Sequence, residues 1–322
     1  MKKNLNWHPM NSTIKDNSSF KDIRDGFFES LLEKYKKDKK IIIITADQGA
    51  FLLNDFKTID SQRCLFFNIS EQHMVSFASG LALSGFKVFI YAISSFLIFK
   101  TVEQIKIDLD LNPKIDLTLI GSGTGLCYSA DGPTHHSLED LAVMRAFKNI
   151  NIFTPSNYIE SASISNTIMK YGGINYVRLD KGSFPYKNKT IKFSRNENLV
   201  KLNISNSLKC IISYGIIINY IFDNYNNTIK KINFINLIKA NPISYKTINY
   251  LKSFKSILII EEALSEVSLA SILKEKLYGT DIQINEISVK NNNNYDYGSR
   301  DYLLKKLLFN KSNLMVLQKF LK

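Results

Sequence analysis

From Phe20 onward the chain alternates between two hydrophobic periods. Phe20, Ile23, Phe27 and Leu31 recur at helical spacing with Lys and Asp between them, and Asp38-Lys39-Lys40 ends that helix. Ile41 to Thr45 then brings five consecutive β-branched residues without polar alternation, which marks a strand buried on both faces. The same succession predicts further strands at Cys64 to Asn68, Lys87 to Tyr91, Asp116 to Ile120, Asn151 to Phe153 and Ile174 to Arg178. Helices are predicted between them at about Glu71 to Ser84, Thr101 to Leu111, Glu139 to Phe147 and Asn157 to Lys170. Strand, helix, strand in series predicts a doubly wound α/β sheet.

A second α/β unit follows, with strands at Leu208 to Ser213, Ile232 to Leu237, Ser256 to Ile260 and Ile282 to Ile287, and helices before Asn224, after Ser265 and from Ser299. The expected organisation is therefore a polar N-terminal arm (1–19), a first α/β domain (20–188), a Lys- and Asn-rich linker (189–206) and a second α/β domain (207–322). The second half shows no catalytic constellation. Its adjacent Glu261 and Glu262 read as a solvated turn or an interface contact.

Composition changes this picture little. With 45% hydrophobic and 22% charged residues the chain is ordinary for a soluble globular protein. The net charge of +13 comes mostly from single, scattered Lys residues accompanied by many Asn and Ile. With no basic helix, RNA-binding aromatic pattern or zinc spacing beside it, that charge does not predict a nucleic-acid partner. Cys64, Cys127 and Cys210 are odd in number and far apart, which suits neither a disulfide framework nor a metal cluster and points to a reducing cytoplasm. No apolar run follows the basic start. The longest apolar stretch, Val88 to Phe99, is too short to span a bilayer, so no membrane association is expected.

Candidate chemistry gathers at two strand-to-helix junctions, where α/β folds place ligands. One reads Asp131-Gly-Pro-Thr-His135-His136-Ser-Leu-Glu-Asp140, the other Ser70-Glu71-Gln72-His73, so three of the four histidines lie in these patches. Two adjacent imidazoles held by Pro133 have little structural use, which favours function for at least one. Glu71 follows Ser70, a good N-cap residue, and reads equally as a helix-terminal acid favoured by the helix dipole. The Gly121-Ser-Gly-Thr-Gly125 turn is a weak nucleotide fingerprint, because its third glycine comes one residue early.

Taken together, Arg63-Cys-Leu-Phe-Phe-Asn-Ile-Ser-Glu71-Gln-His-Met, Ser95-Phe96-Leu97, Ala130-Asp131-Gly-Pro-Thr-His135-His, Pro155-Ser156 and Val177-Arg178-Leu resemble the C-terminal two thirds of transketolases. They are similar also to 1-deoxyxylulose-5-phosphate synthase, a related thiamine diphosphate enzyme. The likeness covers about residues 20 to 285. It implies a pyrimidine-binding domain followed by a transketolase C-terminal-like domain. In such enzymes the glutamate matching Glu71 bonds a nitrogen of the cofactor's aminopyrimidine and so activates it. Phe96, with Phe99 beside it, matches the aromatic that packs on that ring, and Asp47 matches an interface aspartate near the cofactor. His135 matches the histidine that contacts substrate oxygens and assists proton transfer, and Asp131 the acid near the substrate hydroxyls. His136 replaces the usual glutamine at a catalytic and substrate-facing position. Arg24 and Arg178 match arginines that bind the sugar phosphate, with a strand-end pair of Arg178 with Asp180 as the structural alternative. Gly123 and Thr124 stand where the family has a further His or Arg.

No metal ligands are expected on this chain, since the Gly-Asp-Gly motif that holds Mg²⁺ and the diphosphate does not occur in it. The resemblance thus implies half of a split enzyme. This chain would form a homodimer within a heterotetramer with a separate N-terminal subunit, and would move a two-carbon ketol unit between sugars, phosphorylated or nucleotide-linked. Other readings are a decarboxylating synthase that condenses pyruvate with an aldehyde, and the beta subunit of a 2-oxo-acid dehydrogenase. Such subunits carry a Gly-His-Ser-Gln type segment in place of Asp-Gly-Pro-Thr-His. A non-catalytic binding remnant is opposed by the joint presence of Glu71, Phe96 and His135.

Overall fold

The computed structural model describes residues 19–46, 52–186, 197–290 and 296–321. Asp47 and nearly all of the N-terminal arm lie outside these residues. Strand β1 (Ser19–Asp22) pairs antiparallel with β8 (Ser183–Tyr186) as a small ribbon. Among the described residues the first sheet has seven strands in the order β12-β6-β7-β5-β4-β2-β3. These are β2 (Ile41–Thr45), β3 (Cys64–Phe66), β4 (Lys87–Ile93), β5 (Asp116–Ser122), β6 (Ile150–Phe153), β7 (Ile174–Leu179) and β12 (Lys239–Asn241). All pairings in it are parallel except β12 with β6.

Strand β2 shows why a continuous apolar run is needed. Successive side chains point to opposite faces, so Ile41 and Ile43 join the cluster of Phe27, Phe28 and Phe89, while Ile42 and Ile44 join that of Val75, Ala78 and Leu97. The first face is covered by α1 (Ile23–Tyr35) and α7 (Tyr158–Tyr171), the second by α3 (Glu71–Leu83).

A second sheet has the order β14-β13-β10-β11-β9, from β9 (Leu199–Asn203), β10 (Lys209–Ser213), β11 (Asn233–Leu237), β13 (Ser256–Leu264) and β14 (Gln283–Val289). Two features of the sheets differ from the sequence reading. Residues 199–203, expected in a linker, form an edge strand antiparallel to β11. Residues 239–241, from the second half, complete the first sheet. The apolar cluster that holds Ile42 and Leu97 also continues into Ile235, Ile257 and Leu273, so the two halves share buried surface. Among the described residues no helix is long and apolar enough to cross a membrane.

Asp116, at the start of β5, carries a pH-dependent cost. Burial pushes its carboxyl up to about 6, against the opposing charge of Lys87 and with that of Asp38. The folded value lies above the unfolded one. The protonated form therefore favours the fold at low pH, and this contribution is lost as pH rises through about 6. Asp116→Asn keeps the shape without the charge. Allowing for partial solvent access, it should raise stability by about 1 kcal/mol at about pH 7.5 and leave it unchanged near about pH 4. Thermal melts at the two pH values check this, and an equal shift at both would show that Asp116 does not titrate in this way.

Candidate active site

The parallel strands β3, β4 and β5 send their carboxyl ends to the same edge of the first sheet, and each is followed by a residue of interest. After β3 comes Glu71, the first residue of α3, which is 5% exposed. Ser70 does not cap this helix with its side chain, because its hydroxyl is turned back to donate to the Phe67 carbonyl (2.6 Å). After β4, the short helix α4 (Ser94–Phe99) begins at once and presents Phe96. After β5, the loop of residues 123–139 carries Asp131, His135 and His136.

These junctions meet through a residue that sequence patterning missed. Lys100, one turn beyond Phe96, donates through Nζ to Glu71 Oε2 (3.2 Å) and lies 4.7 Å from the centre of the Phe96 ring. The Phe96 ring in turn meets His135 edge to face, with 4.9 Å between ring centres. The Tyr128 ring centre lies 5.9 Å from that of His135, and Thr134 Oγ1 lies 3.0 Å from His135 Nδ1. A buried carboxylate beside an aromatic face, bridged by an ammonium, suits a planar heterocycle that can donate to the carboxylate while stacking on the ring. Only the short α4, not an apolar run, puts Lys100 within reach, so no local pattern could have identified it.

The other expected site residues are placed differently. Asp131 is exposed on the same loop, and Phe99 is 39% exposed at the end of α4. His136 is buried, with no hydrogen-bond partner for Nε2 among the described residues. Burial, and then the charges of His135 and Arg300, lower its pKa, which keeps it neutral near pH 7. It is not gathered with Phe96 as His135 is.

Arg24 is partly buried and pairs with Asp22 through both Nε (3.0 Å) and Nη2 (2.8 Å). Arg178 is not an open anchor, nor is it paired with Asp180. It is 5% exposed and forks onto Asp140 (2.7 and 3.0 Å), the first residue of α6 (Asp140–Arg145). The Tyr176 hydroxyl donates to the same carboxylate (2.5 Å) and lies 2.7 Å from Ser94 Oγ, which is 2.9 Å from Ser137 Oγ. This buried network fastens the start of α4 to the end of the loop. Among the described residues, no group of three His, Cys, Asp or Glu side chains is gathered as a metal ion would require.

Residues 21–187 match the family model for the transketolase pyrimidine-binding domain. The chain belongs to this family. Over 173 residues it is 34% identical to one subunit of an apulose-4-phosphate transketolase from Phocaeicola vulgatus, a match that covers 53% of this chain and 55% of that protein. A 1-deoxy-D-xylulose-5-phosphate synthase of Francisella philomiragia is 28% identical, covering 88% of this chain and 45% of its own. The chain thus spans about half the length of these curated relatives. In fold it is similar to a split-gene transketolase solved as an inactive beta4 tetramer, with TM-score 0.78, 20% identity, and coverage of 93% of this chain and 97% of that one. The pyrimidine-binding domain is therefore the part that holds Glu71, Phe96, Lys100 and His135.

Proposed function

We propose that this chain is the C-terminal subunit of a thiamine diphosphate-dependent, transketolase-like enzyme that transfers a two-carbon ketol unit between sugars. The observation that carries the reading is the contact series Glu71, Lys100, Phe96, His135 at the carboxyl ends of β3, β4 and β5. When bound, thiamine diphosphate would supply a carbon nucleophile for ketol transfer, provided its aminopyrimidine is correctly held. Glu71 would accept a hydrogen bond from that pyrimidine, in the place where Lys100 now donates. Phe96 would offer the ring its face, and Phe99 the neighbouring apolar wall.

His135 would exchange protons with substrate hydroxyls through Nε2, because Thr134 engages Nδ1. Asp131 and Arg24 are the further substrate contacts, and Asp47 a cofactor contact. Mg²⁺ and the diphosphate would be held by a separate N-terminal subunit. Partly exposed apolar side chains flank the site, among them Phe66, Ile69, Phe77 and Val102. They support burial of this edge against other subunits, in a homodimer within a heterotetramer. The substrate would be a phosphorylated or nucleotide-linked sugar, and the setting cytoplasmic carbohydrate metabolism.

The reading predicts that the isolated chain binds thiamine diphosphate weakly, because only the pyrimidine half meets suitable groups. Titration calorimetry with Mg²⁺ checks it, and micromolar Mg²⁺-dependent binding by this chain alone would contradict the division of labour. The Francisella relative favours a second reading, a decarboxylating synthase acting on pyruvate. Release of CO₂ from pyruvate by the assembled enzyme, with no ketol transfer from sugar donors, would establish that reading instead.

A further inference from the structure

The loop that carries Asp131 and His135 is held from behind by the second half of the chain. Glu262, in β13, is 6% exposed and accepts from the Leu126 amide through Oε2 (2.9 Å). Gly125 has φ +60°, and a Cβ there would stand 2.3 Å from that same carboxylate oxygen. Only glycine lets the loop approach so closely. Arg300, the first residue of α11 (Arg300–Leu303), fixes Glu262 from the other side through Nη2 (2.7 and 3.0 Å). The same guanidinium forks onto Asp180 (2.8 and 2.9 Å), just beyond β7.

Two more attachments follow along the loop. The Gly298 amide donates to the Ser129 carbonyl (3.2 Å), and Tyr297 packs where a Cβ on Gly132 (φ +81°) would stand, at 2.0 Å. The Leu264 amide donates to the Leu138 carbonyl (3.3 Å). Gly132 then receives the His135 amide through its carbonyl (3.0 Å). The loop is thus pinned near residues 126, 130 and 138, with His135 between the last two pins.

From this we infer that Glu262 and Arg300 are positioning residues for His135. The buried triad Asp180–Arg300–Glu262 sets the height of the substrate-facing loop above the sheet, and so gives the second half of the chain a part in the reaction. A buried charge network, here with Glu262 and Asp180 both engaged by the Arg300 Nη atoms, is directional in a way that apolar packing is not, and moving one member shifts the amide it holds. The inference rests on the proposed function only for its kinetic part. The pinning itself can be read in the chain alone.

The test uses Glu262→Gln, Arg300→Met and Arg300→Lys. In the full chain, amide hydrogen exchange of residues 123–138 should quicken at least about tenfold in E262Q and R300M, with α3 and β4 unchanged and R300K intermediate. In the complex with the N-terminal subunit, kcat for ketol transfer should fall at least about tenfold in E262Q. Solvent exchange of the bound cofactor's thiazolium proton, which depends on Glu71 and not on this loop, should stay within about twofold of wild type. Unchanged loop exchange, uniform loss of protection across the chain, or retained kcat in E262Q would each overturn the inference. If the wild-type complex itself showed no thiazolium proton exchange, the cofactor reading would fail, while the hydrogen-exchange comparison would still decide whether the triad pins the loop.

Discussion

Glu71→Ala is expected to lower the turnover of the assembled enzyme at least about a hundredfold while leaving the chain folded. The carboxylate is 5% exposed, yet its partner Lys100 remains 45% exposed, so removing the acid strands no buried charge. The structural loss should therefore be limited to the favourable interaction of an acid with a helix N-terminus, at most about 1 kcal/mol. Turnover with a ketose donor and aldose acceptor, measured beside urea denaturation of the same variant, separates the two roles. Near wild-type activity with a small stability loss would reduce Glu71 to a helix-terminal acid.

The sequence made some of this arrangement visible and hid the rest for identifiable reasons. A strand buried on both faces, such as β2, announces itself as a continuous β-branched run because water reaches neither side. Strands β9 and β12 do not. Leu199–Asn203 is half-buried, and Lys239–Asn241 owes its place to pairing with β6, which lies far away in sequence. At the site, Glu71, Phe96 and His135 were legible because each follows a strand end inside a recognisable motif. Lys100, Glu262 and Arg300 were not, since each acts on a residue brought near only by the tertiary fold. Adjacent carboxylates at a strand end suggested a solvated turn or an interface contact. Glu261 is instead fully buried, accepting from the Leu269 and Ala270 amides at the start of α10 (Leu269–Lys276) and from the Tyr214 hydroxyl. An amide acceptor of this kind leaves no mark in composition.

Arg178 gives the sharpest contrast between a motif match and its surroundings. Taken from the motif, it is a phosphate anchor, and Arg178→Met should raise KM for an anionic substrate alone. Its surroundings predict something else. Asp140 is fully buried, and without Arg178 its carboxylate would keep, among the described residues, the Tyr176 hydroxyl at 2.5 Å and a long contact with Ser94 at 3.4 Å. Breaking a buried pair by removing one member leaves an uncompensated charge, so Arg178→Met is expected to destabilise the chain by about 3–5 kcal/mol. Pairing it with Asp140→Leu removes the stranded charge and should recover much of that loss, a coupling that a double-mutant cycle in urea measures directly. A variant within about 1 kcal/mol of wild type that discriminates only between charged and neutral substrates would restore the phosphate role. That outcome would leave Arg24 as the proposed contact for the substrate's anionic end in place of Arg178, since its side chain keeps 18% exposure beside Asp22.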